Sequence, residues 1–177
     1  MRQREDQNIG RDRGAPRAFT TIELLIVITI LGILAAIVVP RFSDASPATR
    51  ENALKDDLRY LRTQVVVFKA QHRDVAPGYP NGNVLAVPSA SDFISQMTGR
   101  TDELVRVGTA PACNLGPYLP RIPPNPVNGR DTIMVVANGT SLPAADNSTG
   151  WIYQPQTLEV VPNCTGVDSE GRRYADY

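Results

Sequence analysis

Residues 16–42 read PRAFTTIELLIVITILGILAAIVVPRF, and Glu23 is the only charged side chain between Phe19 and Val39. About 21 helical residues at 1.5 Å each reach roughly 31 Å, the thickness of a bilayer core. A helix apolar on every side needs lipid or other apolar helices around it. The rest of this 177-residue chain could form only one small domain, too little to surround it. A cleaved secretory signal has a shorter apolar region, about 7–15 residues, that ends in a small-residue cut site. Here Ala35 and Ala36 lie inside the run, with more apolar chain beyond them. The stretch therefore reads as a membrane-spanning helix. Its N-terminal flank holds Arg2, Arg4, Arg11, Arg13 and Arg17 against Glu5, Asp6 and Asp12. That excess of arginine favours a cytoplasmic N-terminus and puts the C-terminal part across the inner membrane.

Glu23 then needs a reason, because a carboxylate inside a membrane is costly and by default marks a function. No Lys or Arg lies between Phe19 and Val39 to pair with it. Two readings stand open on the residues alone. Either Glu23 reaches the headgroups from the helix start, or it meets a cation from elsewhere. A cut just before the apolar run would supply such a cation as a new α-amino group.

The combination AFTTIELLIVITILGILAAIVVP, residues 18–40, resembles the N-terminal signature of type IV pilins and type II secretion pseudopilins. The resemblance implies cleavage between Ala18 and Phe19 by prepilin peptidase, then N-methylation of Phe19. Glu23 becomes the fifth mature residue, the assembly position of that family. Gly32 and Pro40 fall where the family has a Gly and a Pro, and imply weak points at which the helix melts as subunits leave the bilayer. Ala18 departs from the family, which usually has Gly there, and the leader of residues 1–18 is longer than most. At about 4 Å and an effective dielectric of about 20, an ammonium and a carboxylate attract by roughly 4 kcal/mol before desolvation. The amine of a neighbouring copy and the amine of the same copy are both open as the partner of Glu23.

After Arg41 the chain becomes amphipathic. Leu54, Leu58, Leu61, Val65 and Phe68 follow at steps of 4, 3, 4 and 3, one face of a helix, and His72 adds a further step of 4. Arg50, Glu51, Lys55, Asp56, Asp57, Arg59, Arg62 and Lys69 read as solvated or intersubunit positions, and Ser46-Pro47 as the helix start. Residues 75–88 read as a loop and SDFISQMTGRTD, 91–102, as a short capped helix. The run GPYLPRIPPNPVNGRD, 116–131, has too many prolines for a regular helix or a central strand. DTIMVVAN, GWIYQP and TLEVVP read as strands, the last two as a hairpin, with Trp151 and Tyr153 facing the helix stripe.

The expected fold is α+β and similar to the pilin fold: a long N-terminal helix, spanning then amphipathic, packed on a small antiparallel sheet with a loop-rich C-terminal part. The expected divisions are a leader at 1–18, a transmembrane and filament-core helix at 19–40, an amphipathic half at 41–75, and a periplasmic loop-and-sheet part at 76–177. YLPRIPPNPVNG is also similar to a Tyr-Leu…Pro…Pro stretch of major pseudopilins, which favours the secretion branch.

Cys113 and Cys164 admit two readings: separate buried thiols, or one disulfide closing a loop of roughly 50 residues and adding about 4 kcal/mol. The tail GVDSEGRRYADY holds Asp168 and Asp176. Major pseudopilins bind calcium through a C-terminal acidic loop, which makes these two carboxylates calcium candidates. The spacing matches no recognised calcium loop, so the tail reads as solvated and no metal or other cofactor is expected.

One histidine, no nucleophile elbow, no phosphate loop and no HExxH argue against an enzyme. A net charge of zero and the lack of a basic stripe argue against a nucleic-acid partner. The resemblance implies a structural subunit, the major pseudopilin of a type II secretion system. Its partners would be copies of itself, the inner membrane, prepilin peptidase, an assembly platform and minor pseudopilins. The alternative is a surface type IV pilin for adhesion, twitching or DNA uptake.

Overall fold

A computed structural model describes residues 20–43 and 47–177, with side chains from 35 to 43 outside the description. The chain divides into two units after Asp44.

The first unit holds helix α1, Thr21–Ser43. Its described apolar side chains, Ile22 through Leu34, are all exposed. That described face covers about 14 residues, roughly 21 Å of axis. Among the described residues no helix is long and apolar enough to cross a membrane.

The second unit opens with helix α2, Pro47–Gln71, so Pro47 does take the first helical position, while Ser46 lies outside the described residues. The expected stripe is its core face, with Leu54, Leu58, Leu61, Val65 and Phe68 buried. Helix α3, Ala90–Thr98, starts where Ser89 accepts a hydrogen bond from the Asp92 amide at 3.1 Å, so the sequence's short capped helix is present. Phe93 and Met97, four apart, bury one face of it.

Five short strands follow: β1 Arg100–Thr101, β2 Val107–Gly108, β3 Ile133–Val135, β4 Trp151–Gln154 and β5 Glu159–Pro162. β1 and β2 form an antiparallel pair that the sequence did not announce. The main sheet has the order β3-β4-β5. β4 and β5 are the expected antiparallel hairpin. β3 runs parallel to β4, which corrects the all-antiparallel expectation. The reason is the connection at 136–150. It is long enough to carry the chain back to the start of β3, as a parallel pair requires. There the amides of Gly150 and Trp151 donate to the Thr132 carbonyl at 2.9 and 3.2 Å.

Trp151 and Tyr153 share the core with the α2 stripe, while Ile152 packs with Val136 and Val161 on the opposite face. Both faces of β4 are thus covered, and all four of its residues are buried. The proline-rich stretch feeds this core as well. Tyr118, Leu119 and Ile122 are buried, and the Trp151 indole donates to the Pro123 carbonyl at 2.8 Å. Prolines cannot donate, so two asparagines tie this stretch down. Asn125 donates to the Gly150 carbonyl at 2.8 Å, and Asn128 to those of Thr149 and Asn163 at 2.9 and 2.8 Å.

His72, the further step of the stripe, is wholly buried. Its Nδ1 donates to the Phe68 carbonyl at 2.7 Å, which leaves Nε2 to accept from the Thr101 hydroxyl at 2.9 Å. That pattern suits a neutral ring. Burial holds its pKa below the usual histidine range, so it links α2 to β1 as an uncharged group.

Candidate assembly site

Glu23 sits in the first turn of α1. Its Oε2 accepts from the Thr20 amide and from the Thr20 hydroxyl, each at 2.9 Å. The Thr20 Oγ1 accepts in turn from the Glu23 amide at 3.2 Å. This is a reciprocal capping box, and T-T-I-E carries the signal for it in plain letters. The box gives Glu23 a local partner but no counter-charge: among the described residues no cation pairs with it. The Thr29 hydroxyl donates to the Leu25 carbonyl at 2.7 Å, so that polar group is also satisfied within the helix.

Ala18 and Phe19 lie outside the described residues. The nitrogen that cleavage would free on Phe19 precedes by one residue the Thr20 amide on which the Glu23 carboxylate already rests. α1 runs helical through both Gly32 and Pro40. No heavy atom outside the helix's own backbone lies within 4 Å of a methyl placed on Gly32, so nothing in the described residues requires a glycine there.

In the second unit two charges taken for solvated ones are structural. Glu51 is buried, and its carboxylate accepts from the Ser169 amide and hydroxyl, each at 2.9 Å. Arg62 donates to the Val160 carbonyl from Nε at 3.1 Å and from Nη2 at 2.8 Å, and to the Tyr177 carbonyl at 2.8 Å. Together they moor the tail to α2 and β5, while most of the tail's residues stay exposed, as expected of a solvated segment. The signal was absent from the helix itself, because the partner of Glu51 lies 118 residues away. Replacing Glu51 by alanine should free the tail. A hydrogen bond to a charged group contributes about 1.5–3 kcal/mol, so amide exchange at Ser169, Glu170 and Arg172 should rise roughly ten- to hundredfold. Exchange measured by mass spectrometry checks this, with unchanged protection in α3 as the control.

The calcium candidates are engaged by this chain. Asp168 accepts from the Glu170 and Arg172 amides at 2.9 and 2.8 Å and from the Tyr177 hydroxyl at 2.7 Å. Those donors, the tyrosine first, hold its carboxyl below the usual range. Asp176 faces the Arg173 guanidinium with two contacts of 2.9 Å. Among the described residues no three His, Cys, Asp or Glu side chains gather as a metal site. This arrangement of donors does not fit a calcium ion. Cys113 and Cys164 are both free and buried. Cys113 lies against the Arg106 carbonyl at 3.5 Å, and Cys164 against the Asn125 amide nitrogen at 3.7 Å, each in its own surroundings.

The N-terminal region matches proteins of known kind. It is 45% identical over 47 residues to the type IV major pilin protein PilA of Myxococcus xanthus, covering 27% of this chain and 21% of that protein. It is 41% identical over 49 residues to a fimbrial protein of Pseudomonas aeruginosa, covering 28% of this chain and 32% of that protein. These matches support a relationship of the N-terminal region to type IV pilins. The chain spans between about a fifth and a third of the length of these curated relatives. No family model matches the chain, and no solved structure matches it. Glu23 is the only acid of helix α1, held at the helix start in a box that supplies hydrogen bonds and no ion pair among the described residues. The pilin relationship rests on that region, and the second unit has the α+β order of helix followed by small sheets.

Proposed function

We propose that this chain is a structural subunit of a helical pilus-type filament, and within that class the major pseudopilin of a type II secretion system. One observation carries the reading. An apolar helix related to those of pilins begins with a carboxylate that has no counter-charge among the described residues. In this reading prepilin peptidase cuts between Ala18 and Phe19, Phe19 is N-methylated, and residues 19–40 hold the subunit in the inner membrane with the second unit in the periplasm. Polymerisation then replaces lipid around the helix with the helices of other copies. The amine of Phe19 on an incoming subunit neutralises Glu23 of the one before it. Because an unpaired charge in an apolar bundle costs several kcal/mol, mis-set subunits are rejected. Melting between Gly32 and Pro40 shortens the helix during extraction, helped by the weak helix propensity of both residues. An assembly platform and minor pseudopilins complete the machine.

Two features support the secretion branch: the proline-rich run packed under Trp151, and the free thiols where surface type IVa pilins bracket a loop with two cysteines. A second reading, the surface pilin, is favoured by the names of the two relatives. Deleting the gene separates them. The secretion reading expects exported proteins to accumulate in the periplasm, with the surface bare of long filaments at native expression. Long surface filaments and normal export would establish the surface reading instead.

A further inference from the structure

Four cations meet in one shallow cleft of the second unit. Lys55, Arg59 and Arg62 occupy one flank of α2, at steps of 4 and 3, and the moored tail brings Arg172 beside them across the Tyr177 ring. The Lys55 ammonium stands 4.9 Å from that ring's centroid and the Arg172 guanidinium 5.2 Å. The cleft measures about 340 Å³. Among the described residues none of the four is in an ion pair. Lys55, Arg59 and Arg62 stand at helical spacing in the sequence itself, and Arg172 joins the group only through the fold.

The opposite imbalance lies on the same helix. Asp56 and Asp57 stand roughly 100° and 200° round the axis from Lys55. Neither is in an ion pair among the described residues. Burial, and then the charge of Asp56, pushes the Asp57 carboxyl above its usual range. α2 thus has a basic flank and an acidic flank, and although Arg62 donates to the Val160 and Tyr177 carbonyls, neither flank has an ion-pair partner among the described residues. Two copies set side by side in the same direction bring the acidic flank of one to the basic flank of the next. Such a contact joins unlike surfaces, so it can repeat from copy to copy, and where the rotation between copies does not close it builds an open helical filament.

We infer that Asp56 and Asp57 of one copy seat in the Lys55–Arg59–Arg62–Arg172 cleft of a neighbouring copy. The contact rests on the filament reading and adds to it a periplasmic register device. The row from Lys55 to Arg62 covers about 10 Å of helix axis, so it accepts a neighbour displaced along the filament and becomes weaker in high salt.

The test uses the full chain expressed in a host that assembles it. Arg59→Glu and Asp57→Lys, neither of which breaks an ion pair of the described residues, are each expected to lower sheared filament yield at least roughly tenfold, since like charges at an interface repel strongly. Membrane levels of the processed subunit should be unchanged. The double variant Arg59→Glu/Asp57→Lys is expected to recover much of the yield. Wild-type yield from both single variants would overturn the contact while leaving the filament reading intact. Loss that the double variant fails to restore would assign the cations to a different anion, a lipid headgroup or a nucleic acid among them, and would also overturn it. Absence of filaments from the wild-type chain would remove the filament reading and this contact together.

Discussion

Glu23→Gln is expected to leave helix α1 and its processing intact and to lower filament assembly by roughly a hundredfold. Glutamine serves in a capping box as glutamate does, so the hydrogen bond from the Thr20 amide survives. What disappears is the charge. An ammonium–carboxylate attraction of roughly 4 kcal/mol before desolvation leaves ample room for two powers of ten at about 1.4 kcal/mol each. Glu23→Ala removes cap and charge together, and adds a helix-start cost of about 1 kcal/mol. The informative comparison is between the two variants. If charge recognition drives assembly, both fail alike. If the carboxylate only caps the helix, glutamine assembles normally and alanine is impaired. Shearing and quantifying filaments beside the membrane pool of processed subunit reads this directly.

The second large effect falls on the fold. Trp151→Ala should destabilise the second unit by about 4 kcal/mol. Truncating a fully buried large aromatic costs about 3–5 kcal/mol, and the Pro123 carbonyl loses the donor it has at 2.8 Å. For a unit of this size that lowers Tm by roughly 12–20 °C. Tyr153, two residues on and facing the same core, supplies the contrast. Its hydroxyl is buried and has no hydrogen-bond partner among the described residues. Tyr153→Phe removes that orphan while keeping the ring against Phe93, 4.8 Å away between centroids. It should be neutral or stabilising by up to about 1 kcal/mol. Thermal unfolding followed by far-UV circular dichroism compares the two.

These residues also mark how far the letters alone reach. The α2 stripe was legible because five apolar side chains repeat at helical spacing and are all buried. The β4–β5 hairpin was legible because two β-rich runs flank a short turn. Strand direction for β3 was not, since alternation of side chains is the same whichever way the neighbour runs. Glu51 and Arg62 were misread for a different reason. A charge on a helix is normally solvated, and only the return of the tail over more than a hundred residues makes these two structural. Thr20 and Glu23 are the opposite case: their capping box lies within four consecutive letters, T-T-I-E.

The central claim is that this chain is cut before its apolar helix, so that Phe19 presents the amine that Glu23 answers. Intact mass and N-terminal sequencing of the membrane-extracted protein test it most directly. The account predicts a mature chain starting at N-methylated Phe19. A start at Met1, or one beyond Ala36 as a secretory signal would leave, contradicts it.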